Sequence, residues 1–217
     1  MFGAAIHYPE TSVPSAGRAG CCCGVRDVCL RIAAVALSLL VSPLTVQAQS
    51  IADKAQICSA CHGANGVPTA QSFPVPVIWG QQLGYLFIEL RDFKSGARKN
   101  DVMSPIAQSL DQADLLPLAQ YFSQKPWPNL QQPRAAGAVA AQAQRADASV
   151  VCTSCHERGF LGASTQPRLA GQEAAYLKKT MLDLRDGARA NNPGMTGLMK
   201  AISEQDIAAL ATYLGGM

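Results

Sequence analysis

An all-α fold in two tandem halves is what this sequence predicts, and three observations carry that prediction. Apolar residues recur at helical spacing in several segments, and none alternates apolar with polar residues as a half-buried strand does. The second half of the chain restates the first, at offsets of 94, 91 and 92 residues in successive segments. A stretch containing Pro126, Pro128 and Pro133 separates the two copies and forbids a helix between them.

The 217 residues carry 18 Lys+Arg against 15 Asp+Glu, a formal charge of +3. That surplus is too small for a polybasic nucleic-acid binder. With 48% hydrophobic and 15% charged residues, wholesale disorder is excluded. The first 48 residues read as a leader. Arg26 and Arg31 precede an apolar run from Ile32 to Val41, Pro43 breaks it, and Val46-Gln47-Ala48 resembles a small-residue cleavage site. The run is too short to span a bilayer comfortably, so a cleaved signal peptide over 1–48 is expected in preference to an uncleaved anchor. Cys21, Cys22, Cys23, Cys29 and His7 leave with it. An exported chain with its four remaining cysteines would ordinarily be read as holding two disulfides. Their spacing argues otherwise.

The N-terminal half, 49–124, opens with a helix from Ala52 to Cys61. A second helix starts near Gln81, with Leu83, Leu86, Phe87 and Leu90 on one face, and stops at Gly96. A third begins at Asp111 and continues through Leu115, Leu118 and Phe122, with Pro117 expected to kink it. After the linker, 125–137, the C-terminal half, 138–217, repeats the plan. A helix runs from Ala138 to Cys155. Another starts at Gln172, carries Leu177, Met181 and Leu184, and stops at Gly187. The last begins at Ser203, where Asp206 completes the pattern of a capping box, and carries Ile207, Leu210 and Leu214. Pro76-Val77-Ile78-Trp79-Gly80-Gln81 matches Pro167-Arg168-Leu169-Ala170-Gly171-Gln172, and Gly96-Ala97-Arg98 matches Gly187-Ala188-Arg189. Halves of about 80 residues lie near the lower size for a stable domain. A covalently held apolar group would supply the missing core of each.

Every cysteine and histidine after residue 48 belongs to one of two motifs, Cys58-Ser59-Ala60-Cys61-His62 and Cys152-Thr153-Ser154-Cys155-His156. Both are C-x-x-C-H, the haem c attachment signature. Residues i and i+3 of a helical turn share a face, so two thiols there can each add to a vinyl group along one porphyrin edge. The next residue, histidine, is carried under the ring as an iron ligand. A redox dithiol would need a thioredoxin-like βαβ context that is missing here. A four-cysteine zinc site would leave His62 and His156 without a role. Two covalent haem c groups are therefore expected.

With no further histidine available, the second axial position falls to a methionine thioether. Met103 follows His62 by 41 residues and Met195 follows His156 by 39, and each lies eleven residues before Asp114 or Asp206. Both are expected in loops. Met199 aligns with Ala107 and Met181 lies on an apolar helical face, so both read as packing. His/Met ligation closes both faces of the iron and favours electron transfer over oxygen or peroxide chemistry. Ligating imidazoles usually give their other N–H to a carbonyl or carboxylate, and Pro76 and Pro167, at matching places, are candidates to present it. Arg98 and Arg189 are candidates to pair with haem propionates, against the plainer reading of solvated arginines near helix ends. Tyr85, Tyr176 and Trp79 read as packing.

The paired C-x-x-C-H motifs, the P-x-L-A-G-Q-x-x-x-Y-L run of the second half, the G-A-R-x-N segments and the late methionines together resemble the cytochrome c4 family, dihaem members of the class I c-type cytochromes. The resemblance covers the chain from residue 49 onward. It implies two haem domains of class I cytochrome type facing each other about a pseudo-twofold axis. The thioethers would form at Cys58, Cys61, Cys152 and Cys155, and the axial pairs would be His62/Met103 and His156/Met195. It also implies a periplasmic monomer that shuttles single electrons from a bc-type quinol oxidoreductase toward a haem-copper oxidase, compatible with peripheral membrane association. The first half departs from the pattern at P-V-I-W-G-Q, and Glu157 stands where Gly63 follows the first motif. Two other functions compete with the carrier reading: a dedicated electron-accepting subunit of a periplasmic dehydrogenase, and a dihaem peroxidase-like enzyme, which would need an open ligand position at one iron.

Overall fold

A computed structural model describes residues 49–70 and 72–217, and residues 1–48, where the sequence predicts a leader, lie outside the described part. Nine α-helices and two 3-10 turns make up the ordered elements among these residues, with one isolated bridge, Ala163 to Gln166, and no strand. None of the helices is long and apolar enough to cross a membrane.

In the first half, α1 (Ile51–His62) carries the cysteine motif to its end. Its start is fixed by a full capping box in which Ser50 Oγ accepts from Asp53 N (3.2 Å) and Asp53 accepts from Ser50 N (3.3 Å). Helix α2 (Leu83–Ser95) ends at Gly96, whose φ of 82° is left-handed. A short α3 (Met103–Ser109) packs on α2, and α4 (Leu115–Ser123) packs on both α1 and α2. The second half repeats the arrangement. Helix α5 (Gly137–Val150) and α7 (Ala174–Asp186) pack on α9 (Glu204–Gly215), and α8 (Pro193–Met199) packs on α7. Between α4 and α5 the proline-bearing stretch is extended and without regular structure.

Buried apolar side chains form one cluster in each half. Leu86, Leu118, Ala119 and Phe122 close on Ala55 in the first; Leu177, Met181, Leu184, Ile207, Leu210 and Leu214 make the second. Each Leu or Ile buried in this way contributes on the order of 1.5–3 kcal/mol. The second cluster is the larger, and Met181 and Met199 belong to it as packing residues.

Four local expectations need correction. The helix expected from Ala138 to Cys155 is broken at Val151, which sits at φ 51°, ψ 58°, while Asp147 Oδ1 takes the Cys152 N–H (3.1 Å); a separate turn, α6 (Thr153–His156), then carries Cys155 and His156. The helix expected from Asp111 begins with a 3-10 turn at Gln112–Asp114. Pro117 therefore falls in the first turn of α4, where its missing N–H costs nothing and no kink results. At Ser203 only half of the capping box forms: Ser203 Oγ accepts from Asp206 N (3.1 Å), but the Asp206 carboxylate turns to the Ser203 hydroxyl (2.7 Å). Finally, Met103 and Met195 lie in the first turns of α3 and α8 and not in loops.

Candidate haem sites

The two imidazoles are the best-defined groups of the site. His62 and His156 are both buried, and each Nδ1 lies within hydrogen-bond distance of a proline carbonyl, His62 of Pro76 (2.8 Å) and His156 of Pro167 (2.9 Å). A carbonyl oxygen only accepts, so Nδ1 carries the proton and donates. Nε2 is thereby left with its lone pair, the form in which imidazole binds a metal. Burial lowers the pKa of both rings, partly opposed by the bond to the carbonyl, which keeps that lone pair free of a proton.

The thiols stand beside them. Cys58, Cys61, Cys152 and Cys155 are all free, and no disulfide joins the two motifs. Burial pushes the Cys58 thiol up. Burial together with Asp147 pushes Cys152 up to about 12, so both are held as protonated thiols. Such a thiol would add across a vinyl group of the haem, its sulfur bonding one carbon and its hydrogen going to the neighbouring carbon.

Met103 and Met195 are positioned by the same device in each half. Asn100 Oδ1 accepts from Met103 N (2.8 Å) and Asn192 Oδ1 accepts from Met195 N (3.0 Å), each asparagine standing three residues before its methionine. Cys58, Cys61, His62 and Met103, with Cys155, His156 and Met195, line one continuous cavity of about 790 Å3. Two thiols, an imidazole and a thioether in each half are the donor set of a covalently attached, His/Met-ligated haem, and the residues present fit that group.

Between the halves lies a buried polar cluster. Glu89 accepts from Arg98 Nη1 (2.6 Å) and from Arg189 Nη2, while Asn191 Nδ2 donates to Asp92 Oδ2 (2.8 Å) and Arg98 Nη2 to Tyr176 Oη (3.3 Å). Arg98 and Arg189 are therefore not solvated helix-end arginines; they converge on one carboxylate while lining the cavity. Burial raises the Tyr176 phenol, but Arg98 and Arg189 outweigh it and bring it down to about 8. Burial and Glu89 raise the Tyr85 phenol.

Several of these residues carried no assigned role in the sequence. Gln81 and Gln172 stood within the repeated run, and Asn100 and Asn192 keep a fixed spacing to the methionines; the repeat was the available signal for all four. Glu89 breaks the repeat, since Thr180 occupies the matching place, and only the packing of the halves reveals it.

A chain whose described residues form helices without a strand, and which carries two such sites, is a dihaem c-type cytochrome. Comparison with known proteins narrows this class. The family model for cytochrome c matches residues 135–217. Cytochrome c4 of Pseudomonas aeruginosa is 36% identical over 174 residues, covering 76% of this chain and 85% of that protein. The structure of reduced recombinant cytochrome c4 from Pseudomonas stutzeri superposes with a TM-score of 0.67 at 31% identity, over 76% of this chain and 95% of that one. A thiosulfate dehydrogenase electron acceptor of Thiomonas intermedia is 34% identical, over 69% of this chain and 71% of that protein. The chain belongs to the cytochrome c4 family: it is a dihaem electron-transfer protein and not an enzyme, with two covalently bound haem c groups.

Proposed function

We propose that this protein is a periplasmic carrier that passes single electrons from a bc-type quinol oxidoreductase toward a haem-copper oxidase. In this reading residues 1–48 are removed on export. One haem domain spans 49–124 and the other 138–217, joined by the linker 125–137, and the whole acts as a monomer. His62 and Met103 hold one iron, His156 and Met195 the other. Haem iron supplies the one-electron chemistry; the chain's residues anchor it, fill both axial positions and exclude reactants.

The observation that carries this reading is the matched pair of buried imidazoles, each giving Nδ1–H to a proline carbonyl, so that the Nε2 lone pair is free, and each lining a cavity that a methionine from a fixed helical turn also lines. Such a site is built to hold iron with little rearrangement between its two oxidation states. Pro76 and Pro167 serve as the carbonyl partners, and Arg98 and Arg189 line the cavity where haem carboxylates would meet them.

The test is a redox titration of the purified holoprotein followed by visible spectra. Two haems per chain and a weak sulfur-to-iron band at the red end of the oxidised spectrum are expected. Absence of that band overturns the methionine assignment. A second reading, a dedicated acceptor for one periplasmic dehydrogenase, is favoured by the relative named as a thiosulfate dehydrogenase electron acceptor. Reduction of the protein by a bc-type complex, followed by its oxidation by haem-copper oxidase membranes at catalytic rates, supports the first reading. Reduction only by a dehydrogenase supports the second.

A further inference from the structure

The two halves exchange a pair of glutamines, and the exchange ends on the peptides that hold the imidazoles. Gln172, in the second half, accepts from Val77 N through Oε1 (2.7 Å) and donates to Val77 O through Nε2 (3.0 Å). Gln81, in the first half, accepts from Arg168 N through Oε1 (2.7 Å) and donates to Arg168 O (3.0 Å). Both glutamines are 3% exposed. The Val77 N–H belongs to the same amide group as the Pro76 carbonyl, and the Arg168 N–H to the same amide as the Pro167 carbonyl. Each relay therefore runs from an imidazole Nδ1–H, through one peptide group, to a glutamine of the opposite half.

We propose that Gln172 and Gln81 are positioning residues acting across the interface: Gln172 sets the basicity of His62, and Gln81 sets that of His156. The inference rests on the histidine ligation proposed above. Its physical basis is cooperative polarisation along hydrogen-bond chains. When the glutamine Oε1 accepts from the amide N–H, the amide's carbonyl oxygen becomes more negative. It then draws more strongly on the imidazole Nδ1–H, and the imidazole gains anionic character and donor strength at Nε2. A stronger donor favours ferric over ferrous iron and lowers the reduction potential. Each haem is thus tuned by a side chain of the other domain, and the two potentials depend on the halves being docked.

The plainer role for these residues is to clasp the halves together, and Gln82 separates the two. Its Nε2 also crosses the interface, to the carbonyls of Leu161 (3.0 Å) and Gly162 (3.2 Å), but it touches neither proximal peptide. The experiment measures the potential of each haem in the holoprotein and in Gln172→Met, Gln81→Met and Gln82→Met, by electrochemical titration followed by paramagnetic NMR with resonances assigned to each domain. The expected pattern is crossed. Q172M raises the potential of the His62 haem more than that of the His156 haem, Q81M does the reverse, and Q82M leaves both near the parent values. The Nδ1–H resonances move in the same crossed order. Gln172→Glu, which keeps an acceptor for Val77 N–H, leaves the His62 haem at or below its parent potential. Equal shifts at both haems, a same-domain pattern, or reproduction of the Q172M shift by Q82M or by Q172E overturns the proposal. Should Q172M fail to load both haems, the sign at the His156 haem in Q81M and the sign at the His62 haem in Q172E still decide it. Failure of the ligation reading itself is distinguishable, because it appears in the spectrum of the parent protein.

Discussion

Replacing Glu89 by glutamine removes one negative charge from a place where two guanidinium groups converge. The Glu89 side chain is 10% exposed, that of Arg98 12% and that of Arg189 7%, so water screens none of the three well. Arg98 shares the first half with Glu89, whereas Arg189 comes from the second, and the carboxylate therefore ties the halves together. Removing one member of a buried ion pair costs about 3–5 kcal/mol, because the remaining charge stays buried without compensation. Glutamine keeps one acceptor oxygen, and haem carboxylates meeting Arg98 and Arg189 would offset part of the lost charge, which places the cost near the lower bound, about 3 kcal/mol. In a chain of this size each kcal/mol moves the unfolding midpoint by roughly 2–4 °C, so a fall of about 6–12 °C is expected. The assay is thermal unfolding of the holoprotein followed by helical circular dichroism. Thr180→Ala, at the matching place of the other half, serves as the control and should move the midpoint little. A fall of less than about 2 °C in Glu89→Gln would refute the reasoning, since the carboxylate would then not be what compensates the buried arginines.

Other consequences follow from single positions. Glu157 sits at φ 63°, ψ 167°, a region open almost only to glycine, so Glu157→Gly should stabilise the protein by about 1 kcal/mol, read as a raised denaturation midpoint. The matching Gly63 admits no side chain, because a Cβ there would meet the Val67 carbonyl oxygen at 1.9 Å; Gly63→Ala should give a sharply reduced yield of folded holoprotein. Asn192→Ala removes the acceptor for Met195 N and should cost about 1 kcal/mol, with a weakened sulfur-to-iron band at the C-terminal haem that Asn192→Asp restores. Leu210 is 1% exposed in the second core, so Leu210→Ala should cost about 2–5 kcal/mol by chemical denaturation.

Much of the architecture was legible in the chain because its determinants are local. The glycines at 96 and 187 ended helices as read, with both residues left-handed. The apolar faces of α2, α7 and α9 follow the helical period, except that Leu83, expected on the α2 face, is exposed. The haem motifs are legible because they use every cysteine and histidine after residue 48. What escaped depended on contacts between distant segments or on backbone choices that propensity does not report. The break at Val151 puts a β-branched residue in a left-handed conformation, against local preference, with Asp147 holding the next amide. Pro117 reads as a kink in the sequence because the helical period does not distinguish the 3-10 turn at Gln112–Asp114 from the start of α4 at Leu115. Glu89 could not be singled out, since its two guanidinium partners are converged by the docking of the halves. The glutamine exchange was hidden for the same reason, although the repeat had already brought Gln81 and Gln172 into register.

The central claim is that each iron is closed on both faces by residues of this chain, so that the protein passes electrons and binds no reactant. Exposure of the fully reduced holoprotein to carbon monoxide at neutral pH tests it most directly. The account predicts an unchanged spectrum at both haems. Formation of a carbon monoxide complex at either one would contradict it.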